Sequence, residues 1–173
     1  MELSAAQRER YERNLLVEGF TDRMQQALIA ARVAVVGAGG LGSAALNYLV
    51  AAGVGHLTLI ENDTVSLSNL QRQVLYTTAD MGRPKAEVAA MRLSRLNPGC
   101  DIRVVTDRLT AANAAGLLGG HDAVVDCTDN YDARYVIDDF CREAEVPMIY
   151  GTAEAVGGQV AVFHAGGAGI EME

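Results

Sequence analysis

The chain has 173 residues, 50% of them apolar and 21% charged, which fits one ordinary folded domain and excludes a disordered chain. Its formal net charge of −8 excludes the broad basic footprint of a nucleic-acid binder, and no basic amphipathic stretch marks a membrane-surface helix. No apolar run reaches transmembrane length, and the N-terminus lacks signal-peptide architecture, so a cytoplasmic location is the expectation.

Residues 4–16 are polar and rich in Arg and Glu, ending in Leu15-Leu16, and read as a short helix lying on the surface or on a partner. A second helix is expected over Asp22 to Ala30, with Thr21 or Asp22 as its cap. Arg32 to Val36 is a short β-branched run ending at glycine, the pattern of a buried strand. An apolar helix follows from Leu41 to Ala52, closed by Gly53. His56 to Ile60 reads as the second strand. Residues 62–83 are long for a strand-to-helix connection and polar, and long loops in compact domains are usually functional.

Pro84 suits the first position of a helix running to Leu96, which Asn97-Pro98-Gly99 stops. Further strands are expected over Ile102–Thr106, Asp122–Asp126 and Val146–Gly151, with helices over Thr110–Leu118 and Asn130–Ala144 between them. Gly158 to His164 reads as a sixth strand, antiparallel at the edge, and Ala165 to Glu173 as a flexible Gly-rich tail. Alternating strands and helices imply a Rossmann-like, doubly wound α/β fold: a mostly parallel sheet with helices on both faces and N-terminal helices ahead of it. The expected organisation is an N-terminal helical segment over 1–31, a nucleotide-binding domain over 32–164 and the tail over 165–173.

Gly37, Gly39 and Gly42 form G-x-G-x-x-G between a strand and a helix, with Gly40 inside the same turn. The first glycine allows the tight turn, the second lets a phosphate approach the backbone, and the third lets helix and strand pack closely. The helix start then offers free N–H groups and a positive dipole end to an anion. Glu61, after the second strand, stands where an acid takes ribose hydroxyls, and Asp63 either shares that task or caps the loop.

Thirteen of the 14 basic residues are arginine, and Lys85, the single lysine, stands at a helix start. Arg72 offers a planar fork to phosphate oxygens, and with Lys85 can neutralise a diphosphate leaving group. Asp129 lies just past the fourth strand, on the ligand side of an open sheet, where a carboxylate can hold Mg²⁺ against phosphate oxygens. Asn69, Gln71 and Gln73 supply neutral polar groups in the long loop, and Asn130 adjoins Asp129. A hydride-transfer enzyme has no need of this Arg, Lys and Asp set.

The chain resembles the MoeB/ThiF/HesA family, adenylyltransferases related to the ubiquitin-activating enzymes, with MoeB the nearest named branch. The matching stretches are Arg10-Tyr11-Glu12-Arg13-Asn14, Gly37 to Gly42, Ala52-Gly53-Val54-Gly55, Asp63 to Gln73, Gly82-Arg83-Pro84-Lys85 and Asp126-Cys127-Thr128-Asp129-Asn130. The resemblance implies ATP-dependent adenylation of the C-terminal Gly-Gly carboxylate of a ubiquitin-like sulfur carrier protein, of the molybdopterin or thiamine biosynthesis type. By the same resemblance, Gly39 and Gly42 meet the nucleotide and Glu61 the ribose. Asn69, Arg72 and Lys85 contact the phosphates, Asp129 holds Mg²⁺, and Arg13 reaches the γ-phosphate from the other subunit of a homodimer.

Full-length relatives are longer and carry two Cys-x-x-Cys zinc pairs. Here Cys100, Cys127 and Cys141 are isolated, so no zinc is expected, and all three read as structural thiols in a reducing compartment. The three histidines do not cluster in sequence, and Tyr76, Tyr131 and Tyr150 read as packing or hydrogen-bonded core-edge residues. The family's C-terminal part helps form the carrier groove, so a fragment, a short natural form and a form completed by another subunit all remain open. Three competing functions remain: an NAD-dependent oxidoreductase, which the glycine turn and Glu61 also fit; a nucleotide-binding scaffold subunit without catalysis; and adenylation of a non-carrier peptide carboxylate.

Overall fold

In the strand Arg32–Val36 (β1), side chains alternate between two separate cores. Val33 and Val35 pack with Leu46, Val50, Leu57 and Leu93, while Ala34 and Val36 pack with Ile60, Leu118, Ile137 and Met148. A strand buried on both faces needs helices on both sides, and an unbroken run of apolar residues from Val33 to Val36 supplies them with a surface. The structure, a computed structural model, describes residues 2–166; the expected tail beyond Gly166 lies outside the described residues.

The elements after β1 are Gly40–Ala52 (α4), His56–Ile60 (β2), Lys85–Leu96 (α5), Asp101–Val105 (β3), Ala111–Leu118 (α6), Ala123–Asp126 (β4), Tyr131–Ala144 (α7), Met148–Glu154 (β5) and Gly157–Phe163 (β6). The helices Ala5–Arg10 (α1), Glu12–Leu15 (α2) and Asp22–Ala30 (α3) precede β1. The strand order is β3-β2-β1-β4-β5-β6, all parallel except β6, which pairs antiparallel with β5 at the edge. Helices α4 and α5 supply one core, and α6 and α7 the other. The doubly wound arrangement is therefore as expected, with its order reversing between β1 and β4, the place where such sheets bind ligands.

Several boundaries differ from the sequence reading. The single N-terminal helix is two, because Tyr11 leaves helical geometry (φ −104°, ψ 15°) and buries its side chain, where its hydroxyl accepts a hydrogen bond from Asn97 Nδ2 at 2.9 Å. Asn14 and Gln25 both donate to Ala52 O, so the N-terminal helices close the C-terminal end of α4. Pro84 is the cap of α5 rather than its first residue, and Asn130 caps α7 by accepting from Ala133 N. Strand β5 runs three residues further than expected because its pairing with β6 continues to Glu154. Among the described residues no helix is long and apolar enough to cross a membrane.

Candidate functional site

The C-terminal ends of β1, β2, β4 and β5 open into one cleft of about 890 Å³. Its floor is the glycine turn: Gly37, Gly39 and Gly40 all line it. Gly37 has φ +95°, and a Cβ there would meet Cys127 O at 2.8 Å, so the turns after β1 and β4 pack backbone to backbone. Gly42 does not line the cleft. It lies beneath the turn, where a Cβ would meet Gly37 O at 2.1 Å, and its role is the close packing of α4 on β1. Helix α4 starts at Gly40 with no side-chain cap, which leaves its first N–H groups facing the cleft floor.

Glu61, at the end of β2, accepts hydrogen bonds from Ala38 N–H (2.8 Å) and Asp63 N–H (2.9 Å). The carboxylate thus braces the glycine turn and still lines the cleft. Both oxygens keep a free lone pair for a hydroxyl donor.

The long loop folds over the turn through two short 3₁₀ segments, Leu67–Asn69 and Thr78–Asp80. Asn69 does not line the cleft; its Oδ1 accepts from Ser66 Oγ at 2.8 Å and its carbonyl accepts from the N–H groups of Arg72 and Gln73. It shapes the turn that aims those two residues. Arg72 is exposed and lies over Gly40, where a methyl group would sit 3.5 Å from its Cγ and Cδ. Gln73 is buried beside Gly39 and faces the cleft, with Oε1 lacking a partner among the described residues. Gln71 is exposed and does not line the cleft. Tyr76, expected as a packing or hydrogen-bonded core-edge residue, donates its hydroxyl to Ala38 O at 2.9 Å and ties the loop to the turn. Burial raises its pKa, so it stays a neutral donor.

Lys85 is buried, and its Nζ donates to Asp63 Oδ2 at 2.5 Å, while Asp63 Oδ1 accepts from Thr64 N–H. The Lys85 ammonium holds the Asp63 carboxyl below its ordinary range. Asp63 therefore engages Lys85, and its carboxylate is directed toward that ammonium. Lower down, the buried Asp80 accepts from Thr77 N–H and Oγ–H and pairs with Arg92 and Arg83. Burial alone would raise its pKa; these partners outweigh that and leave it lowered.

On the opposite wall, Asp129 and Asn130 line the cleft just after β4, and Asp129 is exposed. Tyr131, expected as packing, is instead 70% exposed at the cleft wall. Beneath this segment Asp126 is fully buried, accepting from Thr128 N–H (2.9 Å) and Oγ–H (2.6 Å), and burial raises its pKa. Arg134, buried on α7, faces it. Asp126, Thr128 and Arg134 were not singled out as site residues from sequence. A charge on the inward stripe of α7, in phase with Ile137 and Cys141, was the available signal.

Burial pushes the Cys127 thiol up to about 12, so this cleft-wall cysteine is protonated at neutral pH. Arg13, on α2, is exposed and does not line the cleft of its own chain. Among the described residues no cluster of three or more His, Cys, Asp or Glu side chains forms a metal-binding group. The histidines are used singly: His121 between Leu118 O and Thr58 Oγ1, His164 on Asp138, and His56 near Asp101.

The ThiF family model matches residues 11–171. The chain belongs to the ThiF family. It is 49% identical over 162 residues to the molybdopterin-synthase adenylyltransferase of Salmonella typhimurium, covering 94% of this chain and 65% of that protein. It is 47% identical over 156 residues to the sulfur carrier protein adenylyltransferase of Thermus thermophilus, covering 90% of this chain and 58% of that one. Among solved structures, the Escherichia coli tRNA N6-threonylcarbamoyladenosine dehydratase in complex with ATP matches with a TM-score of 0.82 and 33% identity, over 88% of this chain and 63% of that one. This ThiF-family chain thus spans about two thirds or less of the length of these relatives.

Proposed function

We propose that this chain carries the ATP-binding site of an adenylyltransferase acting on the C-terminal Gly-Gly carboxylate of a ubiquitin-like sulfur carrier, of the molybdopterin or thiamine type. The observation that carries the reading is the convergence of Glu61, Arg72, Lys85 and Asp129 on one cleft above a glycine turn. The names of its curated relatives support the same class.

ATP is the first substrate. Its ribose hydroxyls donate to Glu61, and its phosphates run over Gly39 and Gly40 toward the N-terminus of α4. Arg72 and Lys85 supply positive charge as pyrophosphate leaves. The incoming carboxylate oxygen forms a bond to the α-phosphorus while the bond from that phosphorus to the bridging oxygen breaks. The products are an acyl-adenylate and pyrophosphate. No covalent nucleophile of the protein is needed, because the carrier brings its own, and the cleft contributes position and charge. That agrees with a protonated Cys127.

Asp129 is an exposed carboxylate lining the cleft, which fits Mg²⁺: that ion is commonly held by one or two carboxylates, water and substrate phosphates. Bound there, it would supply charge neutralisation at the phosphates. We further infer a homodimer in which Arg13 of one copy meets the γ-phosphate in the other. The free thiols fit a reducing, cytoplasmic setting.

ATP–pyrophosphate exchange with radiolabelled pyrophosphate, with and without a Gly-Gly-tailed carrier, tests the reading. Carrier-dependent exchange supports it. ATP binding without exchange would favour a scaffold role, and quenching or enhancement of NADH fluorescence on mixing would favour the oxidoreductase. Full activity of a monomeric Arg13→Ala variant would remove the dimer from the account.

A further inference from the structure

Arg134 enters from α7 below the cleft wall, where its guanidinium meets the ends of two strands. Nη2 donates to Thr128 O at 2.8 Å and, at 3.5 Å, to Gly151 O; Nη1 donates to the Tyr150 hydroxyl at 3.1 Å. Nε lies 3.4 Å from Asp126 Oδ2 without making a hydrogen bond, so that contact is one of charge alone. The Tyr150 ring stacks 4.9 Å from the guanidinium carbon.

Thr128 is therefore held from both sides. Asp126 takes its N–H and Oγ–H, and Arg134 takes its carbonyl. The next residue is Asp129, which is exposed and whose carboxylate makes no hydrogen bond or ion pair among the described residues. A carboxylate at a loop position wanders unless the backbone beneath it is fixed, and here the fixing group is a planar fork that spans β4 and β5 together.

We propose that Arg134 is a positioning residue, which locks the Thr128–Asn130 segment to the ends of β4 and β5 so that Asp129 faces the cleft in one orientation. The statement rests on the reading of Asp129 as the Mg²⁺ carboxylate. The clamp itself is a property of the protein without nucleotide, and it can be read without activity.

The test uses Arg134→Lys, which keeps the charge facing Asp126 but loses the fork, and Tyr150→Phe, which removes one hydroxyl. In the ligand-free protein, amide hydrogen exchange at Thr128, whose N–H is bonded to Asp126 Oδ1, is expected to rise about tenfold in Arg134→Lys, the equivalent of one charge-assisted hydrogen bond. A smaller rise is expected in Tyr150→Phe, and protection in the strand amides of β1 and β2 stays unchanged in both. In pyrophosphate exchange, the Mg²⁺ concentration for half-maximal rate rises and kcat falls in Arg134→Lys while the KM for ATP stays within about twofold. A purely structural Arg134 would lower global protection without that split. Unchanged protection of the Thr128 amide in folded Arg134→Lys overturns the clamp. A loosened Thr128 amide with an unchanged Mg²⁺ requirement overturns the assignment of Asp129 and leaves the clamp standing, so the two failures are distinguishable.

Discussion

Replacing Gly42 by alanine puts one methyl group into a space the backbone already fills. The new Cβ would lie 2.1 Å from Gly37 O and 2.9 Å from Gly37 C, both backbone atoms that no rotamer change can move. An ordinary carbon–oxygen contact is about 3.3 Å, so the start of α4 must back away from the turn by about 1.2 Å. Overpacking of this kind costs about 1–3 kcal/mol, which in a chain of this size lowers the melting temperature by about 2–12 °C. The functional effect should be larger, because the same shift carries the helix N-terminus away from the phosphates, and a misplacement of about 1 Å can cost about 10²-fold in rate. Calorimetric melting and pyrophosphate exchange measure the two effects. Gly116→Ala is the control: nothing lies within 4 Å of its added methyl on α6, and helix propensity alone should raise stability by about 0.5–1 kcal/mol. If Gly42→Ala melts within a degree of the parent and exchanges at the parental rate, the glycine turn does not form the phosphate floor by close packing.

Asp129→Asn and Arg72→Ala alter exposed groups, so circular dichroism and melting should be preserved while exchange falls by at least about 10²-fold. Retained activity in either would remove that residue from the chemistry. Asp80→Ala removes the acceptor shared by Thr77, Arg92 and Arg83 and should cost about 2–4 kcal/mol in urea unfolding at pH 7. The folded pKa of Asp80 lies below the ordinary value near 3.8, so its contribution is complete above about pH 4 and is lost as pH falls through the lowered value. The difference between parent and variant should therefore be constant from pH 5 to 8 and shrink on acidification; a gap that widens would contradict the pairing. Cys127, pushed up to about 12, should react with maleimide at pH 7 at least about 10³-fold more slowly than a free cysteine. Fast labelling in the folded protein would reopen a role for it as an acyl carrier.

The parts of the site that were legible in sequence are those where chemistry and local spacing coincide. The glycine turn, Glu61, Arg72, Gln73, Lys85, Asp129 and Asn130 each follow a strand or sit in the long loop, and all reach one cleft, because a parallel sheet sends every such connection to the same edge. Roles set by three-dimensional neighbours were not legible. Asn69 has the right type but turns back on Ser66, and Asp63 serves Lys85. Arg134 reads as an ordinary helix charge, since periodicity reports which face a residue occupies but not whether a buried aspartate waits there. Tyr11 breaks the first helix for a hydrogen bond to a residue 86 positions away, which no local rule anticipates.

The long loop over the glycine turn is stitched shut at its base. Val65 and Lys85 donate main-chain hydrogen bonds to Arg83 and Asp63, Gly82 donates to Val65, and Thr64 bridges Pro84. Such a ring leaves little backbone entropy to be lost when a ligand arrives, because the loss was incurred when the chain folded. The Arg72 and Gln73 main-chain N–H groups are tied in the same way to Asn69 O. Under the proposed adenylation, nucleotide entry is therefore expected to need no large closure of this loop, and turnover to follow how fast the second substrate and pyrophosphate come and go.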